Sequence, residues 1–362
     1  MQYKLDRTAS EPTYLQLYRH LRHDIVTGNY PFGSKLPSKR LLAAELGISI
    51  VTVEHALAIL CDEGYAGTRE RSGCFVTYRA DDGFVTPAPT HTHIKHTPHG
   101  ETAEDALPYT VLARTMRRVL SDYGKEMMLR SPSKGTEALR EAVTGYLARS
   151  RGMSVTPAQI IIGSGAEYLY GLTLQLLGQE HIFAIEDPCY EKIPAVYRAQ
   201  GARFEALAMG AEGIRSEALA ASNATVLHVT PYHSYPSGVT ATASKRREYL
   251  AFIAAKNGYL IEDDFDSEFT VSTKMEDTLF SLDHTGRVIY MNTFTKTIAP
   301  SLRVGYMVLP LTLLAQFEER CGFYACTVPT FEQLVLAELL GSGDFERHIN
   351  RRRREKRRAL QK

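Results

Sequence analysis

The sequence predicts an α/β protein with a small helical head in front of it. Three observations carry that expectation. Beyond residue 105, short apolar runs alternate with helical stretches, the pattern of a mostly parallel sheet covered by helices. Before it, two short helices are joined by a glycine turn, a helix-turn-helix. Between the two, Arg79 to Glu104 is rich in Pro, Thr, His, Gly and Asp and poor in aliphatics, so it cannot bury enough apolar area to order itself. The expected organisation is a head over 10–78, a flexible linker over 79–104 and an α/β domain over 105–362.

Composition narrows the function classes. The chain of 362 residues is 44% hydrophobic and 23% charged, ordinary for globular domains. Its net charge of +1 gives no global basic field, so any nucleic-acid contact has to come from a local patch. The five cysteines are scattered with no CxxC pair, which fits reduced thiols in a cytosol. No N-terminal apolar leader and no run long enough to span a bilayer is present, so a soluble, cytoplasmic protein is expected.

In the head, Leu15, Tyr18, Leu21 and Ile25 recur at helical spacing from Pro12 to Gly28. A turn at Tyr30-Pro31-Phe32-Gly33 follows. Ser38 is placed to cap a second helix whose apolar side is Leu41, Leu42, Ala44 and Leu46, stopped by Gly47. Ser49 caps a third through Val53, Ala56, Leu57 and Leu60, ending at Gly64. Tyr65 to Tyr78, turning at Arg71-Ser72-Gly73, reads as a hairpin.

The stretches LPSKR, LAAELGIS, TVEHALAILCDEGY and SGCFV resemble the GntR-type winged helix-turn-helix over about 65 residues. The resemblance implies double-stranded DNA as partner. The implied contacts are Lys39 and Arg40 at the second helix start, Ser49, Thr52 and His55 on the recognition helix, and Arg69 and Arg71 on the wing. Cations neutralise phosphates, and the recognition-helix N-terminus reads base edges. One departure stands out. Where the family has a basic or polar pair after the serine, this chain has Ile50-Val51, and Ile50 reads equally as core or as surface. In the linker, His91, His93, His96 and His99 lack cysteine or carboxylate ligands at fixed spacing, so no metal site is expected.

In the α/β domain, Ala138 to Leu147 is helical. Ile160-Ile161-Ile162 is a strand running into Gly163-Ser164-Gly165-Ala166 and a helix from Glu167 to Leu177, where backbone N–H groups make an anion site. His181 to Ile185 is a strand before Glu186-Asp187-Pro188-Cys189-Tyr190 and another helix. Val226 to Thr230, Tyr259 to Ile261 and Val288 to Met291 are further buried strands. Ligands in such sheets bind beyond the carboxyl ends of strands, where every candidate lies. Lys296 and Arg303 follow the last strand among hydroxyl residues, which reads either as a surface loop or as a site suited to an aldehyde cofactor that also carries a phosphate. The acidic run from Glu262 to Asp266 follows the Tyr259 strand. It could be a solvated loop or supply a carboxylate to a pyridine nitrogen.

The order of glycine turn, tyrosine, Pro236-Ser237-Gly238, aspartate, lysine and arginine resembles the fold-type I aminotransferases. With the head in front, the motifs EDPCY, TPYHSYPSG, IEDDFDSEF and TFTKTIAPSLRVGY resemble the MocR subfamily of GntR regulators. The resemblance implies pyridoxal 5'-phosphate as cofactor and a homodimer as the working unit. It casts Lys296 as the lysine that condenses with the cofactor aldehyde, Asp263 as the carboxylate on the pyridine nitrogen, and Tyr190 as the stacking ring. Gly165, Ala166, Thr293, Thr295 and Arg303 would hold the phosphate. Phe265 stands where the family has a tyrosine and Ser234 where it has a glutamine. The family continues into a small C-terminal subdomain with a carboxylate-gripping arginine, whereas this sequence stops at Lys362 in a basic helix, so that subdomain is expected to be missing.

The functional expectation is a DNA-binding transcriptional regulator that senses pyridoxal phosphate or an amino compound through Lys296. A pyridoxal-phosphate-dependent aminotransferase and a truncated regulator binding DNA without cofactor are the alternatives.

Overall fold

A computed structural model describes residues 3–6, 11–69, 72–79, 107–264, 268, 277–299 and 301–360. Arg71, Phe265 and the linker from residue 80, with its four histidines, lie outside the described residues. The chain divides into two compact units, 1–98 and 99–362.

In the first unit, α1 (Thr13–Val26), α2 (Lys39–Leu46) and α3 (Ile50–Asp62) precede a hairpin of β1 (Ala66–Arg69) and β2 (Gly73–Val76). Ser38 Oγ accepts Leu41 N–H at 3.2 Å and Ser49 Oγ accepts Thr52 N–H at 3.0 Å, so both serines cap as expected. Gly47, with φ of 60°, supplies the left-handed residue that turns α2 into α3. Leu17, Leu21, Leu42, Val53, Leu57, Leu60 and Val76 close one core.

The second unit opens with α4 (Tyr109–Tyr123), α5 (Glu137–Arg151), β3 (Ile160–Gly163), α6 (Ala166–Leu177), β4 (Ile182–Asp187) and α7 (Lys192–Ala199). It continues through β5 (Arg203–Gly210), β6 (Gly213–Ile214), α8 (Ser216–Ala221), β7 (Val226–Val229), α9 (Ala243–Ala255) and β8 (Tyr259–Asp263). It ends with α10 (Leu279–Leu282), β9 (Val288–Thr293), β10 (Gly305–Val308), α11 (Leu314–Cys321), α12 (Thr330–Gly341) and α13 (Asp344–Leu360). One sheet has the order β3-β10-β9-β8-β7-β4-β5-β6. Strands β5, β4, β7, β8 and β9 run parallel, and β10 runs against both β3 and β9.

Alternation along the strands divides the core. Ile161, Ile261, Ile289, Met291 and Met307 pack under α6 and α11 on one face. Ile160, Ile162, Tyr290, Tyr306 and Val308 meet α5 and α12 on the other, with Leu260 and Val288 packed toward α9. The reading as a mostly parallel sheet therefore holds, with β10 added. That strand, Tyr306-Met307-Val308 between Gly305 and Pro310, was not expected from the sequence although it is fully buried. It starts at the edge where the candidate residues gather, Gly305 opposite Thr293 and Gly163, and runs back across the sheet.

Candidate functional site

Pairing across the sheet fixes the site. Gly163 ending β3 faces Gly305, Gly305 faces Thr293 ending β9, and Met291 faces Asp263 ending β8. The glycine turn, the Lys296–Arg303 connection and the aspartate therefore leave the sheet along one edge. Tyr190, after β4, joins them from the strand beyond β7.

At the turn, Gly165 has a φ of 93° and caps α6. A Cβ there would come within 3.0 Å of Arg303 Nη2, so glycine lets the guanidinium lie on the turn. The first free N–H groups of α6 begin at Ala166, an anion-binding arrangement. Arg303 there donates to the carboxylate of Glu167, which also accepts Lys192 Nζ at 2.8 Å. Burial works to raise the Glu167 carboxyl, and bonds from Lys192, its own backbone and Arg303 outweigh it, holding it below its ordinary range. Neither Glu167 nor Lys192 was singled out from the sequence. The signal for both is a charge within the turn of a strand-to-helix connection.

Asp263 is 2% exposed. Tyr170 Oη donates to its Oδ2, and His228 Nε2 stands 3.7 Å from the same atom. Tyr197 Oη and His228 Nδ1 are hydrogen-bonded at 2.8 Å, and the Tyr170 and His228 rings meet edge to face at 5.1 Å. Burial pushes both phenols well above their ordinary range, so both keep their protons, and Tyr170 donates its own to Asp263. His228 Nε2 is buried without a hydrogen bond. Asp263 thus has a positioned donor and an imidazole but no Lys or Arg among its ion pairs in the described residues. Such a buried carboxylate suits a cationic ring nitrogen. Tyr170 and His228 were missed from sequence. Tyr170 hides among the leucines of α6, and His228 interrupts the apolar run of β7.

Tyr190 is half-buried, its ring edge-on to Tyr235 at 6.3 Å. The Tyr235 loop is held from beneath. Glu186, at the end of β4, accepts Ser234 Oγ at 2.6 Å and Thr230 N–H at 3.2 Å, and burial pushes its carboxyl up to about 8. Ser234, where a glutamine was the family expectation, therefore ties this loop to the strand that carries Tyr190.

Thr293 is buried, Thr295 half-buried and Lys296 exposed in the turn after β9. Phe294, Ile298 and Val304 sink into the core around them, and Phe294 N–H bonds to Val304 O at 2.8 Å. Lys296 therefore rides on a packed base. The residues present fit a flat, phosphate-bearing pyridine aldehyde: a lysine, an anion turn with an arginine, and a buried carboxylate.

In the head, Lys39 and Arg40 are exposed at the start of α2, and Lys39 Nζ bonds to Glu54 Oε1 at 2.9 Å. An open groove of about 780 Å³ is lined by Lys35, Lys39, Arg40 and Arg69 between α2 and the hairpin. Ser49 and Thr52 are engaged in the α3 cap, with their hydroxyls 2.8 Å apart. His55 is exposed and meets the Tyr14 ring edge to face at 5.4 Å. Ile50, which could have been core, is 46% exposed, and Val51 is 64% exposed.

Comparison with known proteins matches residues 13–76 to the family of bacterial regulatory proteins, gntR family, and residues 98–362 to aminotransferase class I and II. An uncharacterized HTH-type transcriptional regulator of Bacillus subtilis, YdeL, is 34% identical over 98% of this chain and 80% of its own. The probable rhizopine catabolism regulatory protein MocR of Rhizobium meliloti is 28% identical over 97% and 76%. The HTH-type pyridoxine biosynthesis transcriptional regulator PdxR of Corynebacterium glutamicum is 29% identical over 95% and 77%. An archaeal alanine:glyoxylate aminotransferase shares the fold at a TM-score of 0.61 and 23% identity, over 67% of this chain and 62% of its own. LysN of Thermus thermophilus, an alpha-aminoadipate aminotransferase complexed with N-(5'-phosphopyridoxyl)-L-leucine, does so at 0.59 and 26%, over 68% and 64%. The chain spans less than two thirds of either enzyme. No helix among the described residues is long and apolar enough to cross a membrane.

Proposed function

The chain belongs to the MocR-type HTH transcriptional regulators, a GntR helix-turn-helix joined to a class I and II aminotransferase domain, and from that we propose that its second unit senses pyridoxal 5'-phosphate or an amino compound. One observation carries this reading. The connection from β9 to β10 holds Lys296 and Arg303 together, and pairing sets that connection beside the Gly165 turn and the end of β8 at Asp263.

When bound, the cofactor supplies an aldehyde for amine chemistry and a ring that accepts electrons. This chain's own groups bind and orient it. Lys296 supplies the amine. Arg303, Thr293, Thr295 and the Gly165–Ala166 turn, whose free N–H groups begin at Ala166, would take the phosphate. Asp263, held by Tyr170, would pair with the ring nitrogen, and Tyr190 would stack on the ring. The likeness to regulators of rhizopine catabolism and pyridoxine biosynthesis, both tied to small metabolites in their names, supports a sensing role. The working unit in this reading is a cytoplasmic homodimer on paired half-sites, its DNA affinity set by the ligand. The domain boundaries proposed are those of the sequence reading, 10–78 and 105–362.

The experiment is absorbance of the purified protein with added pyridoxal phosphate. A visible band that Lys296→Ala loses is the expected result, together with a gel shift on upstream DNA that the cofactor alters. A colourless wild type would sink the sensing reading. Turnover of an amino acid with an oxo-acid would replace it by the enzymatic one.

A further inference from the structure

The start of the recognition helix departs from what a polyanion alone would ask of it. Helix α3 contains no lysine or arginine. The solvent side of its first three turns carries Val51, Glu54, His55 and Ala58, with Ile50 at the tip and Asp62 at the far end. Glu54 is bonded to Lys39 of α2 at 2.9 Å. Ile50 and Val51 occupy the first two helical positions, 46% and 64% exposed, while Val53, Ala56, Leu57 and Leu60 fill the core. The buried face is thus complete without the pair. The cations stand elsewhere, Lys39 and Arg40 on α2 and Arg69 on the hairpin.

We propose that Ile50 and Val51 are specificity residues that read the C5-methyl groups of thymines in the major groove, the donor-poor helix tip selecting a T-containing step by apolar contact. The N-terminal residues of a recognition helix meet base edges. Thymine is the base that offers a methyl group there, and apolar side chains are its complement. Both side chains are β-branched and held in few rotamers on a helix, so little freedom is lost on contact. Ser49 and Thr52 spend their hydroxyls on each other and on the cap, which leaves the tip short of hydrogen-bonding groups. Phosphate attraction falls to the flanking cations and carries no sequence preference.

The test uses the full chain. Duplexes are enriched from a random pool, and the selected site is resynthesised with uracil replacing each thymine in turn, which removes the methyl group and nothing else. The expected result is a rise in Kd of about four-fold at one or two positions, equivalent to about 0.8 kcal/mol per contacted methyl. Ile50→Ser and Val51→Ser, both at exposed positions, should then bind thymine and uracil equally at those positions, a coupling that separates methyl contact from a folding defect. Unchanged thermal midpoints confirm that the variants fold. An enriched site without thymine at the contact, a uracil series with no effect, or a penalty that survives in both variants overturns the proposal. So does a change in oligomeric state of the variants with the thymine preference intact, which would make the pair a protein-docking surface.

Discussion

Asp263 and Asp264 are adjacent in the chain, both 2% exposed, and face opposite sides of the sheet. Asp263 receives the Tyr170 hydroxyl on the α6 side. Asp264 is paired with Arg151 from the end of α5 and receives Tyr290 Oη at 2.6 Å on the other. Strand alternation imposes this division, so one carboxylate lies on the side proposed for the ligand while its neighbour fastens the strand end.

Replacing the two should therefore have separable effects. Asp264→Ala leaves the Arg151 guanidinium buried, at 12% side-chain exposure, without its carboxylate. Breaking a buried pair from one side costs about 3–5 kcal/mol. Asp263→Ala should cost far less stability and weaken the visible band formed with pyridoxal phosphate. Denaturant midpoints and cofactor titrations of the two variants check this. Equal stability losses would refute the division.

Much of this site was legible in the sequence, and the reasons are physical. Lys296, Arg303 and Asp263 are charges that follow or end apolar runs, and at Asp263 burial makes such a charge expensive without a partner. Tyr170, Tyr197 and His228 were not legible. Tyr170 and His228 reach Asp263, and Tyr197 reaches His228, across separate elements, and no spacing encodes that. β10 was missed because four buried residues after a glycine look like the tail of a motif. β5 was missed because the two-residue β6 covers only its end, which leaves its alternation half-exposed.

Glu167 occupies the guanidinium that a phosphate would need. Glu167→Gln should tighten binding of pyridoxal phosphate and leave that of unphosphorylated pyridoxal unchanged. Lys192→Ala, which frees the carboxylate to stay on Arg303, should weaken it. Titration of the visible band with both aldehydes measures the effect. A change shared by the two aldehydes would show that the carboxylate does not compete with phosphate.

Glu186 makes stability depend on pH in a stated direction. Its folded pKa is pushed up to about 8 by burial, whereas in the unfolded chain a glutamate titrates near ~4.3. Below the lower value both states hold the proton, and the group's full contribution is present. As pH rises toward the folded value, the unfolded chain releases a proton that the folded chain keeps, and that contribution is lost. Glu186→Gln removes this titration, so its stability relative to wild type should rise from about pH 5 to about pH 8. Urea midpoints across that range decide it, and a constant difference would refute it.

Gly258 precedes β8 where a Cβ would lie 1.9 Å from the Thr225 carbonyl oxygen. Thr225 O is also the acceptor of Tyr259 N–H at 2.9 Å, so the backbone there has no room to withdraw. Gly258→Ala should destabilise by about 1–3 kcal/mol, as overpacked sites do. A thermal midpoint equal to wild type would contradict the close approach.

In the head, Arg40→Ala should weaken DNA binding by a similar factor on every sequence and lower the salt slope of binding by about one. Fluorescence anisotropy on several duplexes at graded salt is the measurement. A sequence-dependent loss would instead place Arg40 on a base.

The β9–β10 connection has a mechanical consequence. Gly305 is in register with Thr293, and Phe294, Ile298 and Val304 nail the intervening chain to the core. The backbone that carries Lys296 and Arg303 is therefore a buckle anchored at both ends, from which the two exposed side chains project as prongs. Neither can be retuned alone by lengthening the chain between them. Evolution or design seeking a longer or shorter ligand here must alter what meets the buckle, not the buckle itself.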